Sequence, residues 1–370
     1  ITAKSLTVSG IRASDKTYDG STNATLTGSA VYSGLVSGDT FTGSYTGVFA
    51  DANVGTGKTV NITSSYSGAD VNNYSVTDQS STTADISAKA LTATASTSNK
   101  TYDGGTTAST TLTFTGLVGS ETLGQTVGST FDNKNVGSNK TVTVNSITLS
   151  DGSGLAANYS ISAGQTTTAD ITAKSLTVSG ITASNKTYDG STNATLDASL
   201  VAYSGLVGGD TFDGTYTGVF SDKNVGVGKT VTITPSYSGA DVSNYSVTDQ
   251  SSTTANITAK SLTVSGITAS DKIYDGSTSA TLTGTAMYSG LVSGDTFTGS
   301  YSGVFVDANV GTGKTVTITP SYSGADVNNY SVTDQSTTTA DISAKALTAT
   351  ASASNKTYDG GTTASTTLTF

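Results

Sequence analysis

Asp51, Asn53, Asp70 and Asn72 are the residues of this chain whose side-chain oxygens and close spacing come nearest to a metal site. Carboxylate and carboxamide oxygens are the ligands a calcium ion prefers. In DANVGTGKTVNI, which starts at Asp51, Gly55 stands where the fifth ligand of a calcium loop should be, and Ile62 stands where its closing Glu should be. Asp and Asn beside Gly are ordinary turn residues, so the expectation is turns, with no cofactor or metal, and these four residues stand as the calcium candidates. GTGKT from Gly55 has the look of a phosphate-binding loop, but Ala52 occupies the place of that loop's first Gly, and the residues that follow alternate as a strand. A Lys–Asn isopeptide bond needs a buried acid as proton carrier. Glu121 is the only glutamate in the chain, so a Glu-assisted bond is open to the second copy at most, and elsewhere an Asp would have to serve. With no Cys and no His, thiolate chemistry, disulfides and imidazole catalysis are excluded, and no enzyme is expected.

The elements that must position these residues are repeated. KTYDGST starts at Lys16, and near-copies start at Lys100, Lys186, Lys272 and Lys356. The motif triplets are Tyr18, Asp19, Gly20; Tyr102, Asp103, Gly104; Tyr188, Asp189, Gly190; Tyr274, Asp275, Gly276; and Tyr358, Asp359, Gly360. Their tyrosines are 84, 86, 86 and 84 residues apart, the size of a small domain. ITAKSL or ISAKAL phrases around Lys4, Lys89, Lys174, Lys260 and Lys345 keep the same beat, as do the NYS phrases at Tyr74, Tyr159, Tyr245 and Tyr330. The reading is four copies and a partial fifth: 1–88, 89–173, 174–259, 260–344 and 345–370. A longer period of 256 residues, three copies, lies over this one, since residue 1 matches residue 257. The ends fall at arbitrary points of the pattern, which reads as a window on a longer array.

Each copy reads as β. Leu6 and Val8 alternate with Thr and Ser, as do Val60, Ile62 and Tyr66, and then Tyr74 and Val76. Gly-rich breaks fall between these runs at the spacing of turns in a small sandwich. GLVSGDTF from Gly34 is the one place with room for a helical turn, so at most a trace of helix is expected. The expected core of the first copy is Leu6, Val8, Leu26, Leu35, Val36, Phe41, Phe49, Val60, Ile62, Tyr66, Tyr74, Val76 and Ile86. The join STTADISAKALTATAS contains no Gly or Pro, so strand should run stiffly into strand. In the YDG phrase the Asp-Gly pair supplies a turn, and the Tyr offers a ring to cover the core edge and a hydroxyl to reach water. Pro235 and Pro320 mark a possible edge segment that in the first copy holds Ser64 and in the second Ser146.

The net charge of −10 opposes binding to nucleic acid or an anionic membrane, and no run is apolar enough to span a bilayer. The series SLTVSGITASNKTYDGSTNATL, GLVGGDTF, DKNVGVGKTV, NYSV and ANITAK resembles the YDG repeat domain of large secreted bacterial adhesins of the filamentous-haemagglutinin, two-partner-secretion type. The resemblance covers the whole chain. It implies an extracellular stalk or fibre segment on a bacterial surface or in a biofilm matrix, with no catalytic residue. The second copy departs most, with GLVGSETLGQTVGST and LSDGSGLAANYS, and reads as a subtype with a different edge. The expected fold is all-β: a tandem array of small β-sandwich-like domains, immunoglobulin-like or β-grasp-like, stacked end to end as an elongated rod. The expected role is a stiff repetitive spacer whose partners are neighbouring repeats. The alternative is a surface that itself adheres, through lateral association with other fibre copies or binding of extracellular polysaccharide.

Overall fold

The computed structural model describes residues 1–370 and is built almost wholly of strands; its only helical elements are short 3-10 turns. It forms two compact units, Ile1–Leu176 with Gly205–Phe212 and Gly239–Ser246, and Thr177–Ser204 with Asp213–Ser238 and Val247–Phe370.

The first copy, in the first of these units, sets the pattern. Its strands are β1 (Lys4–Ser9), β2 (Arg12–Ala13), β3 (Lys16–Thr17), β4 (Asn23–Ala24), β5 (Leu26–Thr27), β6 (Val31–Ser33), β7 (Thr42–Phe49), β8 (Gly55–Ser67), β9 (Tyr74–Thr77) and β10 (Ser81–Ser87). Five of them form one sheet in the order β3-β10-β8-β7-β4, and three form another in the order β6-β1-β9. β1 runs parallel to β9 and antiparallel to β6, while β3 runs parallel to β10. β2 and β5 make a short pair of their own. The period-two alternation is carried into space: Leu6 and Val8 are buried, and the Ser and Thr between them face out. One apolar cluster gathers Leu6, Phe41 and Tyr74, and a second gathers Tyr18, Phe49, Val60, Ala84 and Ile86. The second also takes in Leu91 and Tyr159 of the following copy, so this core is shared across the join.

Two expectations are corrected, on GLVSGDTF and on Val36. GLVSGDTF holds no helix; the helical turn is Val71–Asn73, directly before β9, and it recurs at Ala156–Asn158, Val242–Asn244 and Val327–Asn329. GTGKT opens β8 as a turn into a strand, as read: Gly57 takes a φ of +58° and its amide donates to the Asp85 carboxylate at 2.7 Å. Val36 is 44% exposed and belongs to no core. The join is strand into strand as read: β10 ends at Ser87, pairing resumes at Lys89, and the next strand runs Thr92–Thr97.

The Pro segment is half an edge. Ser64 faces Tyr45 of β7 on one side, as Pro235 faces Tyr216, whereas pairing of β8 with β10 stops near Asn61. In the second copy a bulge shifts the register between Gly128 and Ser129, so Ile147 opposite Val127 replaces Ser146 as the counterpart of Ser64. That copy also lacks a full counterpart of β4, keeping only a single bridge from Thr107 to Thr130. Residues 345–370 contribute one exposed hairpin, Thr350–Ala353 with Thr366–Thr369.

Candidate functional site

The site begins with a loop that fastens itself. Lys16 Nζ donates to Asp19 Oδ1 at 2.8 Å and to the carbonyls of Ser21 and Asn23 at 2.7 and 3.1 Å, while Asp19 Oδ1 also accepts the Ser21 amide at 2.8 Å. The Lys16 ammonium beside it, helped by that amide, holds the Asp19 carboxyl below the usual carboxylate range. The same clasp recurs at Lys100–Asp103, Lys186–Asp189, Lys272–Asp275 and Lys356–Asp359. This stiff loop presents the YDG tyrosine.

The tyrosine then enters the next copy. Tyr18 packs edge-on against the Tyr159 ring with centroids 5.4 Å apart, and its hydroxyl donates to Glu121 Oε1 at 2.7 Å. Tyr159 donates to the other carboxylate oxygen at 2.6 Å and accepts the Val118 amide at 2.9 Å. Between the second and third copies, Tyr102 donates to Asp210 at 2.8 Å and Tyr245 shares that carboxylate. Between the third and fourth, Tyr188 and Tyr330 share Asp295 in the same way, at 2.8 and 2.6 Å. The expected water contact of the hydroxyl is therefore replaced by a carboxylate of the following copy. Burial, with Glu121 and its charge second, pushes the Tyr18 hydroxyl up to about 12.

Glycine completes the triplet. Gly20 has a φ of +75°, and a Cβ there would stand 2.9 Å from Val118 Cγ1. Gly104 meets Val207 and Gly190 meets Val292 at the same distance. The valines are the counterparts of Val36, which explains why Val36 is exposed: nothing docks on it.

A second contact uses the Asn-Val pair after Phe49. The Val54 amide donates to Asn158 Oδ1 at 2.9 Å, and Asn158 Nδ2 returns a bond to Asn53 Oδ1 at 3.0 Å. Val136 with Asn244 and Val225 with Asn329 repeat it, each at 2.9 Å. In two joints a lysine is added. Lys134 bridges Asp210 and Asp241 at 3.0 and 2.8 Å, and Lys223 bridges Asp295 and Asp326 at 3.2 and 2.9 Å. The two aspartates raise the Lys134 ammonium well above the usual lysine range. Burial pushes the Asp210 carboxyl upward, but donors from Tyr245, Tyr102 and Lys134 outweigh it and hold it low.

The calcium candidates do not converge. Asp51 pairs with Lys58 at 2.6 Å, Asn53 belongs to the joint, Asp70 accepts the Thr40 amide at 2.9 Å, and Asn72 faces out. No three acidic side chains come together elsewhere. Of the motif tyrosines, Tyr18, Tyr102 and Tyr188 are 6%, 1% and 1% exposed, against 41% for Tyr274 and 94% for Tyr358, onto which no copy docks. Asp39, Asp210, Asp295, Lys134, Lys223 and the NYS asparagines escaped the sequence reading. Their signal was the recurrence of GD before TF and of N before YS, which reads equally as turn chemistry.

A family model described as the YDG domain matches residues 2–84, 87–169, 172–255 and 258–340. Comparison with curated proteins finds no match. Among solved structures, Drosophila N-cadherin EC1-4 aligns over 90% of this chain and 98% of its own, at 9% identity and a TM-score of 0.22. The I9-I11 tandem of titin aligns over 69% of this chain and 100% of its own, at 8% identity and a TM-score of 0.17. Likeness at those scores carries no argument about this chain.

Proposed function

From the premise that this chain belongs to the YDG domain family, which matches it in four successive segments, we propose that it is a stalk or fibre segment of a large bacterial surface or biofilm-matrix adhesin. It acts there as a stiff repetitive spacer, outside the cell, with neighbouring repeats as its partners and no catalytic residue. The observation that carries this reading is the tyrosine-carboxylate-tyrosine lock, which recurs at Glu121, Asp210 and Asp295. Each lock ties a motif loop of one copy to the Gly-Leu-Val loop of the next, beside a short strand-to-strand join. Two tethers at a short join resist bending more than either alone, since a flexible linker has to be absent from both.

Electron microscopy of the purified chain tests it. Single filaments of uniform contour, whose bending increases when Tyr102→Ala and Tyr188→Ala are introduced, support the spacer. Ordered side-by-side bundles, or a parent chain as bent as the double variant, would overturn it.

A further inference from the structure

The second copy leaves open a strand edge that its sister copies close. In the first and fourth copies the opening strand pairs in parallel over four residues, Lys4–Thr7 with Tyr74–Thr77 and Lys260–Thr263 with Tyr330–Thr333. A glutamine then clasps the backbone just beyond: Gln79 donates Nε2 to the Ile11 carbonyl at 2.6 Å and accepts the Ile11 amide on Oε1 at 3.0 Å. Gln250 with Ile181 and Gln335 with Ile267 repeat the clasp at the same distances. In the second copy the parallel pairing covers only Lys89–Ala90 with Tyr159–Ser160. Gly164, with a φ of +114°, stands at the place of the glutamine, since the carbonyl that follows it accepts the equivalent strand amide, Val144 to Gln165 as Ile62 to Ser80.

The clasp has changed sides. In this copy Gln125 holds Leu112, accepting its amide at 3.1 Å and donating to its carbonyl at 2.7 Å. Leu112 lies in the strand Thr110–Thr115, which pairs antiparallel with Thr92–Thr97. One edge of this ribbon is capped, and the ladder shows which groups the other leaves free. The Ser98 amide donates to the Ser109 carbonyl at 3.3 Å, which makes these two a hydrogen-bonded pair, and such pairs alternate along an antiparallel ladder. The N–H and C=O of Thr92, Thr94 and Ser96 therefore turn toward Thr110–Thr115, and those of Ala93, Ala95 and Thr97 turn away from it. The Leu91 amide, of that second parity, donates to the Ser160 carbonyl at 2.8 Å. Beyond this bond, residues 90–93 and 160–165 wall an open cleft of 520 Å³. None of the lining side chains is charged, and the Oε1 of Gln165 on its wall is buried without a hydrogen-bond partner.

We propose that this edge is a docking site for an extended strand of another polypeptide, which adds beside Ala93, Ala95 and Thr97 in line with Tyr159–Ser160. Three observations set the kind of partner. Donors and acceptors at backbone spacing match another backbone, and an unpaired edge of this kind is a template for strand addition. The sister copies fill the same place with an extended YSVT strand and a glutamine amide, so the partner alternates apolar side chains with Ser or Thr as that strand does. The cleft has two walls, so it takes a lone segment. A strand already inside a folded sheet would drive its neighbours into the second wall, which excludes the sheet edges of a second copy of this chain. The role goes beyond that of a spacer, because the divergent copy becomes the point at which the array holds another protein.

The test uses the full chain and a synthetic peptide of sequence NYSVTDQS, copied from Asn73–Ser80. With the peptide in excess, amide hydrogen exchange is expected to slow at Ala93, Ala95 and Thr97 and to stay unchanged at the Val54 amide, which Asn158 holds. A peptide N-methylated at alternate residues cannot form the ladder, and its affinity should fall at least about tenfold, the loss of one or two hydrogen bonds. Ala95→Pro should weaken binding of the unmodified peptide as much, since it removes a donor on the free edge, where proline is tolerated. Its Val54 exchange shows whether the copy is still folded, and the N-methylated peptide makes the same test on the unaltered chain. No slowing at the three amides, or equal binding of the N-methylated peptide, overturns the proposal. So does undiminished binding to a folded Ala95→Pro chain.

Discussion

Tyr102 and Asp210 lie 108 residues apart in sequence, in different copies, and the tyrosine hydroxyl donates to the carboxylate at 2.8 Å. The bond makes the motif tyrosine a part of its neighbour's surface as much as of its own core. Loss of the ring should therefore loosen a joint as well as a domain.

Tyr102→Ala removes an aromatic ring that is almost wholly buried, at a cost of about 3–5 kcal/mol. Tyr102→Phe removes only the donor, at a cost of about 1–2 kcal/mol. Hydrogen exchange at the Val136 amide, which is held by Asn244 across the joint, should accelerate in both. Tyr274→Ala should alter melting far less, because that ring is half uncovered.

Gly104→Ala faces two obstacles, a φ of +80° and Val207 Cγ1 at 2.9 Å from the new Cβ, whereas Gly276→Ala at a φ of +77° faces only the first. The backbone part should be about 1 kcal/mol at both sites. Any excess loss of stability at Gly104, measured by thermal unfolding of the two variants, reports the contact between copies.

Lys134→Met removes the cation that holds Asp241 and helps to hold Asp210. A carboxyl whose folded pKa is depressed contributes stability that is present above its unfolded value and lost as pH falls through the folded value. With the lysine gone the depression shrinks, so the loss should begin at a higher pH than in the parent. Val136 amide exchange followed down an acid titration should show that displacement, while the Val54 amide, at a joint without lysine, should not change.

The alkaline limit has the opposite sign. Tyr18 is raised from 10.0 to about 12, so its contribution is complete below pH 10 and fades as pH climbs through 12. Ultraviolet titration of the phenolates should lose a component near pH 12 in Tyr18→Phe, and the Val54 amide of that variant should be less sensitive to pH across this window.

Ser64→Pro should raise stability by about 0.4–1 kcal/mol. Pro235 and Pro320 already occupy this register opposite Tyr216 and Tyr301, and the Ser64 hydroxyl is buried without a hydrogen-bond partner. Thermal melting of the single variant checks it. Ile147 and not Ser146 is the equivalent place in the second copy, so Ser146→Pro should destabilise by breaking the pairing with Gly128.

Local chemistry was legible from the sequence. Alternation of Leu6 with Val8, the Asp19-Gly20 turn and the break-free join are set by nearest neighbours, and they appear in the structure as read. The repeat period was legible for the same reason, since identical stretches fold alike. What the tertiary structure alone decided is which copy a side chain serves. Val36 looks like core in sequence and is exposed, while its counterparts Val118, Val207 and Val292 meet the motif glycine of the preceding copy, and Glu121 looks like a stray acid and is the acceptor of two hydroxyls. A period fixes that copies are alike, but contacts between copies join residues more than 100 positions apart, and no local pattern carries the pairing of a hydroxyl with a carboxylate at that distance. It arises only once folding has brought the loop of one copy against the strand ends of the next.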